Sequence, residues 1–283
     1  MLTEMLNTQI AVGLLQCAGA ILLCLAVVSI CRRFGVSVEK ETAISLARGL
    51  IQMSIVGVLL ATLLTGGLLV GAAVLLAMVG AAAFTTSQRF HELSYAFEIS
   101  FLSIGSGAGT AIAFMVLTKG LSTDIQVFVP VGSMIIANSM NASAQAMERF
   151  RSDVTAHVGQ VEAALCLGAV PSACVSPYVQ TAVYASLLPR LDMLKSLGLV
   201  WIPGVMAGMM VAGSSPLYAA LYQFVIVTAI MIASAIAGMT VIAVMRRRAF
   251  SSAGQLLLRN STVTKQRGFW AKLLHRDAGP QPK

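Results

Sequence analysis

Two uncharged stretches in this chain are too long for the core of a soluble protein. No Asp, Glu, Lys or Arg occurs from Gly49 to Gln88 or from Ser196 to Met245. Turn residues interrupt each stretch near its middle, at Thr65-Gly66-Gly67 and at Gly213-Ser214-Ser215-Pro216. A helix needs about 20 apolar residues to cross a hydrocarbon core about 30 Å thick. Each stretch therefore predicts two membrane spans joined by a turn.

The composition agrees with an all-α, polytopic bundle of transmembrane helices. The chain is 57% hydrophobic and 11% charged, whereas a soluble domain carries about 25% charged residues. The start of the chain has Glu4 but no Lys or Arg before Ile10, so we expect a retained first helix rather than a cleaved signal. Counting apolar residues predicts seven spans, at about 10–30, 46–64, 68–87, 97–118, 126–147, 197–213 and 217–245.

Basic residues predict the orientation of these spans. If the N-terminus lies outside and the C-terminus inside, Lys119 is the only Lys or Arg in the outer loops. The net charge of +8 is then a topology signal, and we expect no nucleic-acid partner. The predicted organisation is a permease domain at 1–248 and a basic cytoplasmic tail at 249–283, in the lipid bilayer of a bacterial inner membrane.

The predicted inner segment, about 148–196, contains a further uncharged run from Ala163 to Pro189. This run is long enough for an eighth span, but its proline, glutamine and hydroxyl residues favour an inner-face or interfacial segment. The string Glu162-Ala163-Ala164-Leu165-Cys166-Leu167-Gly168 predicts a short helix that ends at Gly168, where glycine can adopt a positive φ. Such a helix can project from the membrane and dock on a partner protein, or it can lie at the membrane interface without a partner.

Several motifs are more specific than this string. Arg48-Gly49-Leu50-Ile51-Gln52 opens span two, and Val129-Pro130-Val131-Gly132-Ser133-Met134 begins a motif that runs to Met140 in span five. Gly198-Leu199-Val200-Trp201-Ile202-Pro203-Gly204-Val205-Met206-Ala207-Gly208 opens span six. Together they resemble the FetB-type permease family, which includes bacterial permeases assigned to iron export by ABC transporters and plant aluminium-tolerance membrane subunits. The resemblance runs from about Glu39 to about Met245.

This resemblance implies a permease that forms a homodimer and works with a separate ABC ATP-binding subunit. The string at 162–168 resembles the cytoplasmic loop by which bacterial ABC permeases engage their ATPase. It implies ATPase-coupling roles for Glu162, Ala163, Ala164 and Gly168. The chain contains no G-x-x-x-x-G-K-[ST] phosphate loop. We therefore expect a transport subunit rather than an enzyme, with no cofactor of its own and with ATP on the partner subunit.

Polar groups and helix breaks within spans are the candidates for a translocation path. Asn138 and Asn141 lie three residues apart on one helix face, and Pro203-Gly204 predicts a break in span six. The complete candidate set is Arg48, Gln52, Glu98, Asn138, Asn141, Pro203, Gly204, Met206 and Gly208. Two alternatives stay open: the amides bridge helices, and the methionines fill packing gaps rather than bind a soft metal.

The predicted function is therefore a membrane subunit of an ABC-type exporter for metal ions such as iron. The alternative is an ion-coupled secondary transporter or a metal-tolerance membrane protein that acts without an ATPase. No metal site is predicted. Cys17, Cys24 and Cys31 recur every seven residues on one face of span one, but no His or acidic residue shares that face, so we interpret them as packing residues.

Overall fold

A computed structural model describes residues 2–31, 39–63, 67–90, 93, 95–251 and 254–258; of 2–10 and 58–63 it describes the backbone only. Within these ranges the regular structure is helical, apart from two isolated β-bridges. The helices are α1 (Leu2–Cys31), α2 (Glu39–Leu63), α3 (Leu68–Arg89), α4 (Ala96–Leu117), α5 (Ile125–Ala156), α6 (Val158–Cys166), α7 (Pro171–Cys174), α8 (Ser176–Ser196), α9 (Gly204–Val211) and α10 (Pro216–Arg248). Most of the predicted basic tail lies outside the described residues.

The chain divides into two compact units, Met1–Thr65 and Gly66–Lys283. In the first unit, α1 and α2 contact each other. Their described side chains are exposed or half-buried, as expected for helices that present apolar side chains to lipid. The second unit contains the helices α3 to α10 and its own hydrophobic core.

Four long helices, α3, α4, α5 and α10, form the body of the second unit. Small residues allow α4 to pack closely on its neighbours, since a Cβ added at Gly107 would lie 3.0 Å from the backbone nitrogen of Ala237 in α10. The hydroxyl groups of Ser103 in α4 and Ser143 in α5 are 2.9 Å apart. Close backbone approach and interhelical hydrogen bonds are the usual means of association where lipid provides no hydrophobic drive.

The contacts between these helices define two ends of the bundle. We call one the Lys119 end: Gly71 near the start of α3 lies against Phe128 of α5, and Gly120 after α4 lies against Val225 of α10. At the opposite end, which we call the Arg248 end, the Tyr95 hydroxyl donates to the carbonyl of Arg248 over 3.2 Å. Helices α3, α5 and α10 thus run from the Lys119 end to the Arg248 end, and α4 runs back.

Helix α8 also runs back, along α5 and α10. Tyr178 near its start donates to Gln160 after α5 over 3.3 Å, whereas Arg190, further along, donates to the carbonyl of Asn138 over 3.0 Å. Residue numbers therefore rise along α8 as they fall along α5, which defines an antiparallel pair. The cytoplasmic location predicted for 148–196 stays a prediction, but the second half of this segment is packed lengthwise against the bundle.

The sixth predicted span, residues 197–213, is wrong as a membrane-crossing helix. The structure has instead α9, a helix of 8 residues, which is about 12 Å long at 1.5 Å per residue. Positive φ angles at Gly198 and Gly213, of 78° and 92°, end the helical backbone on either side. Pro203, which is the N-cap of α9, has an extended ψ of 147°. The absence of charge made this stretch look like a span, while its Gly and Pro residues interrupt the helix.

The other predictions of helical spans agree better with the structure. Five helical segments in the described part of the chain are long and apolar enough to cross a membrane: Ala11–Cys31, Leu68–Arg89, Ala96–Leu117, Ile125–Ala156 and Pro216–Arg248. Helix α2 covers the second predicted span but begins earlier, at Glu39. The all-helical, polytopic prediction is confirmed at this level. The predicted set of seven spans is not confirmed, because 197–213 does not form one, and the sides on which the termini lie stay a prediction.

Candidate functional site

The short helix predicted to end at Gly168 is present as α6, and its C-terminus has the predicted conformation. Gly168 has a φ of +84°. Its N–H donates to the carbonyl of Leu165, and the N–H of Ala169 donates to the carbonyl of Ala164, each over 3.0 Å. These two bonds form a Schellman motif, in which a left-handed residue after the helix lets the last carbonyls find donors. A Cβ at this position would strain the backbone, so the left-handed conformation at the end of α6 favours glycine over every other residue.

One face of α6 is fixed to the bundle and the other is free. Val161 is 1% exposed and belongs to the same buried cluster as Phe150 and Val154 of α5. The opposite face, with Glu162 and Ala163, is exposed; Ala164 is half-buried. The loop that follows exposes two large apolar side chains, Leu167 at 89% and Val170 at 64%. An anchored helix with an exposed carboxylate and a rim of apolar side chains is the kind of surface on which a protein partner can dock.

Within the second unit, the predicted path residues do not line one channel. Asn138 is half-buried, and its amide donates to the carbonyl of Met134 one turn earlier, over 2.9 Å. Asn141 is exposed, and so is Glu98 in the first turn of α4. Arg48 and Gln52 are exposed on α2, which belongs to the first unit. The role of this set in translocation stays a prediction.

The predicted break at Pro203-Gly204 is confirmed as a local feature. Pro203 is buried, Met206 is half-buried, and Gly204 and Gly208 are exposed. Helix α9 contacts α10, and Val205 packs against the cluster that includes Ile226 and Ile230. Among the described residues, no group of three or more His, Cys, Asp or Glu side chains is placed to hold a metal ion.

Sequence reasoning missed the most unusual side chain of the second unit. Arg190 lies on α8 and is 5% exposed. One terminal nitrogen of its guanidinium donates to the Gln145 side chain over 3.3 Å, and the other donates to the carbonyl of Asn138. Its Nε has no partner. Charge counting treats Arg190 only as a basic residue of the predicted inner segment, although arginines are rarely buried without an acidic partner.

Two further buried polar side chains on α10 lack partners. Gln223 is 1% exposed with both amide atoms unpartnered, and Ser234 is 0% exposed with an unpartnered Oγ. Together with Arg190, these are the only buried side chains in the described part of the chain with an unpartnered nitrogen or oxygen atom. Most buried polar groups in proteins are hydrogen-bonded. We call the contact between α8 and α10 that carries Arg190 and Ser234 the polar seam; Gln223 lies further along α10, towards the Lys119 end.

The register of the two helices places Arg190 and Ser234 at one level of the polar seam. A Cβ added at Gly238 of α10 would lie 2.8 Å from the Ser186 hydroxyl of α8, so these two positions face each other. Arg190 is one turn beyond Ser186, and Ser234 is one turn before Gly238, in helices that run in opposite directions. The sequence did carry a signal for this face, since Ala182, Ser186 and Arg190 recur every four residues and all are buried.

The fold and these features define a class: a polytopic helical membrane protein with a polar interior seam and a short helix attached at one end of its bundle. Within that class the chain belongs to the UPF0014 family, described as an uncharacterised protein family, whose pattern matches residues 14–250. No solved structure matches the chain.

Similar proteins occur in plants and in bacteria. The chain is 31% identical over 233 residues to the UPF0014 membrane protein STAR2 of Oryza sativa subsp. japonica, which covers 81% of this chain and 80% of that protein. It is 29% identical over 231 residues to Protein ALUMINUM SENSITIVE 3 of Arabidopsis thaliana, at 81% and 84% coverage. It is 27% identical over 243 residues to "Probable iron export permease protein FetB" of Escherichia coli (strain K12), at 84% and 93% coverage.

Proposed function

We propose that this chain is the permease subunit of an ABC-type exporter and that a separate ATP-binding subunit supplies the energy. The observation that carries the proposal is α6, a capped helix whose inner face is held by Val161 and whose outer face presents Glu162 and Ala163. A helix that transmits work must be fixed to the moving part on one side and exposed to its partner on the other. The name of the bacterial relative, "Probable iron export permease protein FetB", supports both transport and a metal-ion cargo.

The distribution of charge supports an orientation with the Arg248 end in the cytoplasm. Arg89 at the end of α3, Arg149 near the end of α5 and Arg246–Arg248 at the end of α10 all lie toward that end. In the described part of the second unit, two basic residues lie toward the opposite end: Lys119, and Lys195 in the last turn of α8. This asymmetry is what the positive-inside rule requires. It supports an orientation in which α6 lies on the side where ATP is available, and the proposed permease acts as a homodimer in the bacterial inner membrane.

The coupling assignment is tested with the full chain co-expressed with a candidate ATP-binding subunit. Glu162→Gln removes a charge that the bundle does not use, and Gly168→Ala strains the left-handed C-cap by roughly 1–2 kcal/mol. Both variants should insert normally, yet lose most of the ATP-dependent metal export measured in inverted membrane vesicles. Asp192→Asn is the matched control, because Asp192 is an exposed carboxylate on α8 whose ion pair with Lys195 measures 3.6 Å.

Two results would overturn parts of this proposal. Export by both coupling variants at the wild-type rate would remove the docking role of α6. Export that persists without any ATP-binding subunit and follows an ion gradient would replace the ABC mechanism with ion-coupled secondary transport.

A further inference from the structure

Arg190 is a buried positive charge without a counter-ion. It is 5% exposed, and both groups that accept from it, the Gln145 amide and the Asn138 carbonyl, are neutral. No carboxylate in the described part of the chain forms an ion pair with it. A guanidinium stays protonated in proteins, and an uncompensated buried charge is strongly unfavourable. Such a residue inside a membrane protein marks a functional site by default.

The guanidinium also has unused donor capacity. Arginine has five N–H donors in a fixed, planar fork, and the structure accounts for two of them. The Nε is buried and has no acceptor. A planar fork with free N–H groups matches the two oxygens of a carboxylate or a phosphate, which it binds through paired hydrogen bonds.

The surroundings of Arg190 contain a second hydrogen-bond donor and lie close to the surface of the bundle, from which a ligand can reach the guanidinium. Ser234, which has an unpartnered hydroxyl and is 0% exposed, lies at the same level of the polar seam. Gln145, which accepts from Arg190, is exposed on α5, so this side of the guanidinium is close to the surface of the bundle. Gln223 adds an unpartnered amide on the same helix as Ser234, towards the Lys119 end.

We propose that Arg190 is the centre of an oxyanion-binding site in the polar seam, with Ser234 as a second donor, and that it takes a carboxylate or phosphate group. A bound oxyanion would neutralise the buried charge and satisfy the Nε of Arg190 and the hydroxyl of Ser234. The same positive charge repels a bare metal cation. If the proposed export of metal ions holds, and this step rests on that function, the metal would pass the seam as a complex with oxyanion ligands.

The oxyanion has two possible sources with the same chemistry: a free anion that enters from water, or the phosphate of a lipid headgroup. The test separates them by using the purified full-length chain in a neutral detergent. Inorganic phosphate and citrate are added separately at constant ionic strength, with chloride as the balancing ion. The midpoint of thermal unfolding is recorded, because a ligand that binds the native state raises it.

We expect phosphate or citrate to raise the midpoint of the wild-type protein in a saturable manner and chloride to have no such effect. Arg190→Gln should abolish the rise. Arg190→Lys should weaken the apparent affinity at least tenfold, because an ammonium cannot form the paired hydrogen bonds of a guanidinium. Ser234→Ala should weaken it several-fold. Arg149→Gln is the matched control, since Arg149 is an exposed arginine paired with Asp153 at 3.0 Å, and it should respond like the wild type.

Arg190→Gln can fail to fold, so the decisive variants are Arg190→Lys, which keeps the charge, and Ser234→Ala, which keeps the packing. The proposal is wrong if the wild type responds to phosphate, citrate and chloride alike, or if both decisive variants bind as the wild type does. The lipid source is tested in nanodiscs made of phosphatidylglycerol or of phosphatidylcholine. If phosphatidylglycerol abolishes the binding of free phosphate and phosphatidylcholine does not, the site exists but holds a lipid headgroup, and its role in cargo transport is overturned. None of these measurements needs the ATP-binding subunit. A negative result in the binding assay therefore does not contradict the ABC proposal, and a negative result in the export assay does not contradict the oxyanion site.

Discussion

Replacement of Gly107 by Ala should weaken the packing of α4 against α10. A Cβ at this position would press on the carbonyl oxygen of Ala233 and lie 3.0 Å from both the backbone nitrogen and the Cβ of Ala237. Two of these three atoms belong to the backbone of α10. A backbone atom cannot rotate away as a side chain can, so the clash is relieved only if the two helices move apart.

The expected cost follows from that separation. Non-bonded carbon atoms prefer about 3.5–4.0 Å, so the helices must open by roughly 0.5–1 Å along a closely packed seam. Overpacking of this kind costs about 1–3 kcal/mol, and Ala gains about 1 kcal/mol over Gly in helix propensity. Since both neighbouring backbones are rigid, we take the upper end of the cost and expect a net loss of about 2 kcal/mol.

Two glycines of the same bundle provide matched controls. Gly109 has nothing within 4 Å of its added Cβ, so Gly109→Ala should be neutral or stabilising by up to about 1 kcal/mol. At Gly132 the Cβ would lie 2.5 Å from the tip of the Leu75 side chain, which can rotate, so this variant should be intermediate. Unfolding of the three variants in mixed micelles measures the free energies. Equal stability of the Gly107→Ala and Gly109→Ala proteins would refute the reasoning.

Two further predictions concern interhelical contacts. A double-mutant cycle with Ser103→Ala and Ser143→Ala should give a coupling of about 0.6 kcal/mol, the average for such bonds in membranes, because the two hydroxyls are 2.9 Å apart; strictly additive losses would contradict the bond. Gly238→Ala should destabilise the protein, since the added Cβ would lie 2.8 Å from the Ser186 hydroxyl. Adding Ser186→Ala should restore most of the stability in the same unfolding assay, and a double variant as unstable as the single one would show that α8 and α10 do not meet there.

The sequence contains enough information for most of the bundle. Long uncharged runs require helices, because every backbone N–H and C=O in hydrocarbon must be bonded internally. The spans predicted at 68–87, 126–147 and 217–245 lie within single helices of the structure, and the span predicted at 97–118 ends one residue beyond α4. The C-cap at Gly168 was also predictable, since glycine adopts a positive φ at little cost.

The prediction of span six shows what hydropathy omits. Residues 197–213 satisfy a count of uncharged residues, but the backbone angles of Gly198, Pro203 and Gly213 are not helical and leave only the short helix α9 between them. Hydropathy measures transfer from water to lipid and contains no information about backbone continuity. In this segment the local conformational preferences of glycine and proline decide the structure.

Arg190 was missed for the opposite reason. A rule that allows no charged residues within a span places the segment with Arg190, Asp192 and Lys195 in a loop. In the structure this segment belongs to α8, which packs along two of the longest helices, α5 and α10. Its burial depends on Asn138 and Gln145, which come from a helix about 50 residues earlier in the chain. A single sequence contains no record of that pairing, so only the three-dimensional arrangement reveals a buried, unneutralised guanidinium.

The length of α10 has a mechanical consequence. Its 33 residues extend about 50 Å at 1.5 Å per residue, roughly 20 Å more than the hydrocarbon layer is thick. A rigid rod of that length, tilted by about 5° about one tip, sweeps its other tip through about 4 Å. If the pivot lies near Arg248, a small displacement at that end of α10 thus produces a larger displacement at the Lys119 end, and the helix does not have to unwind.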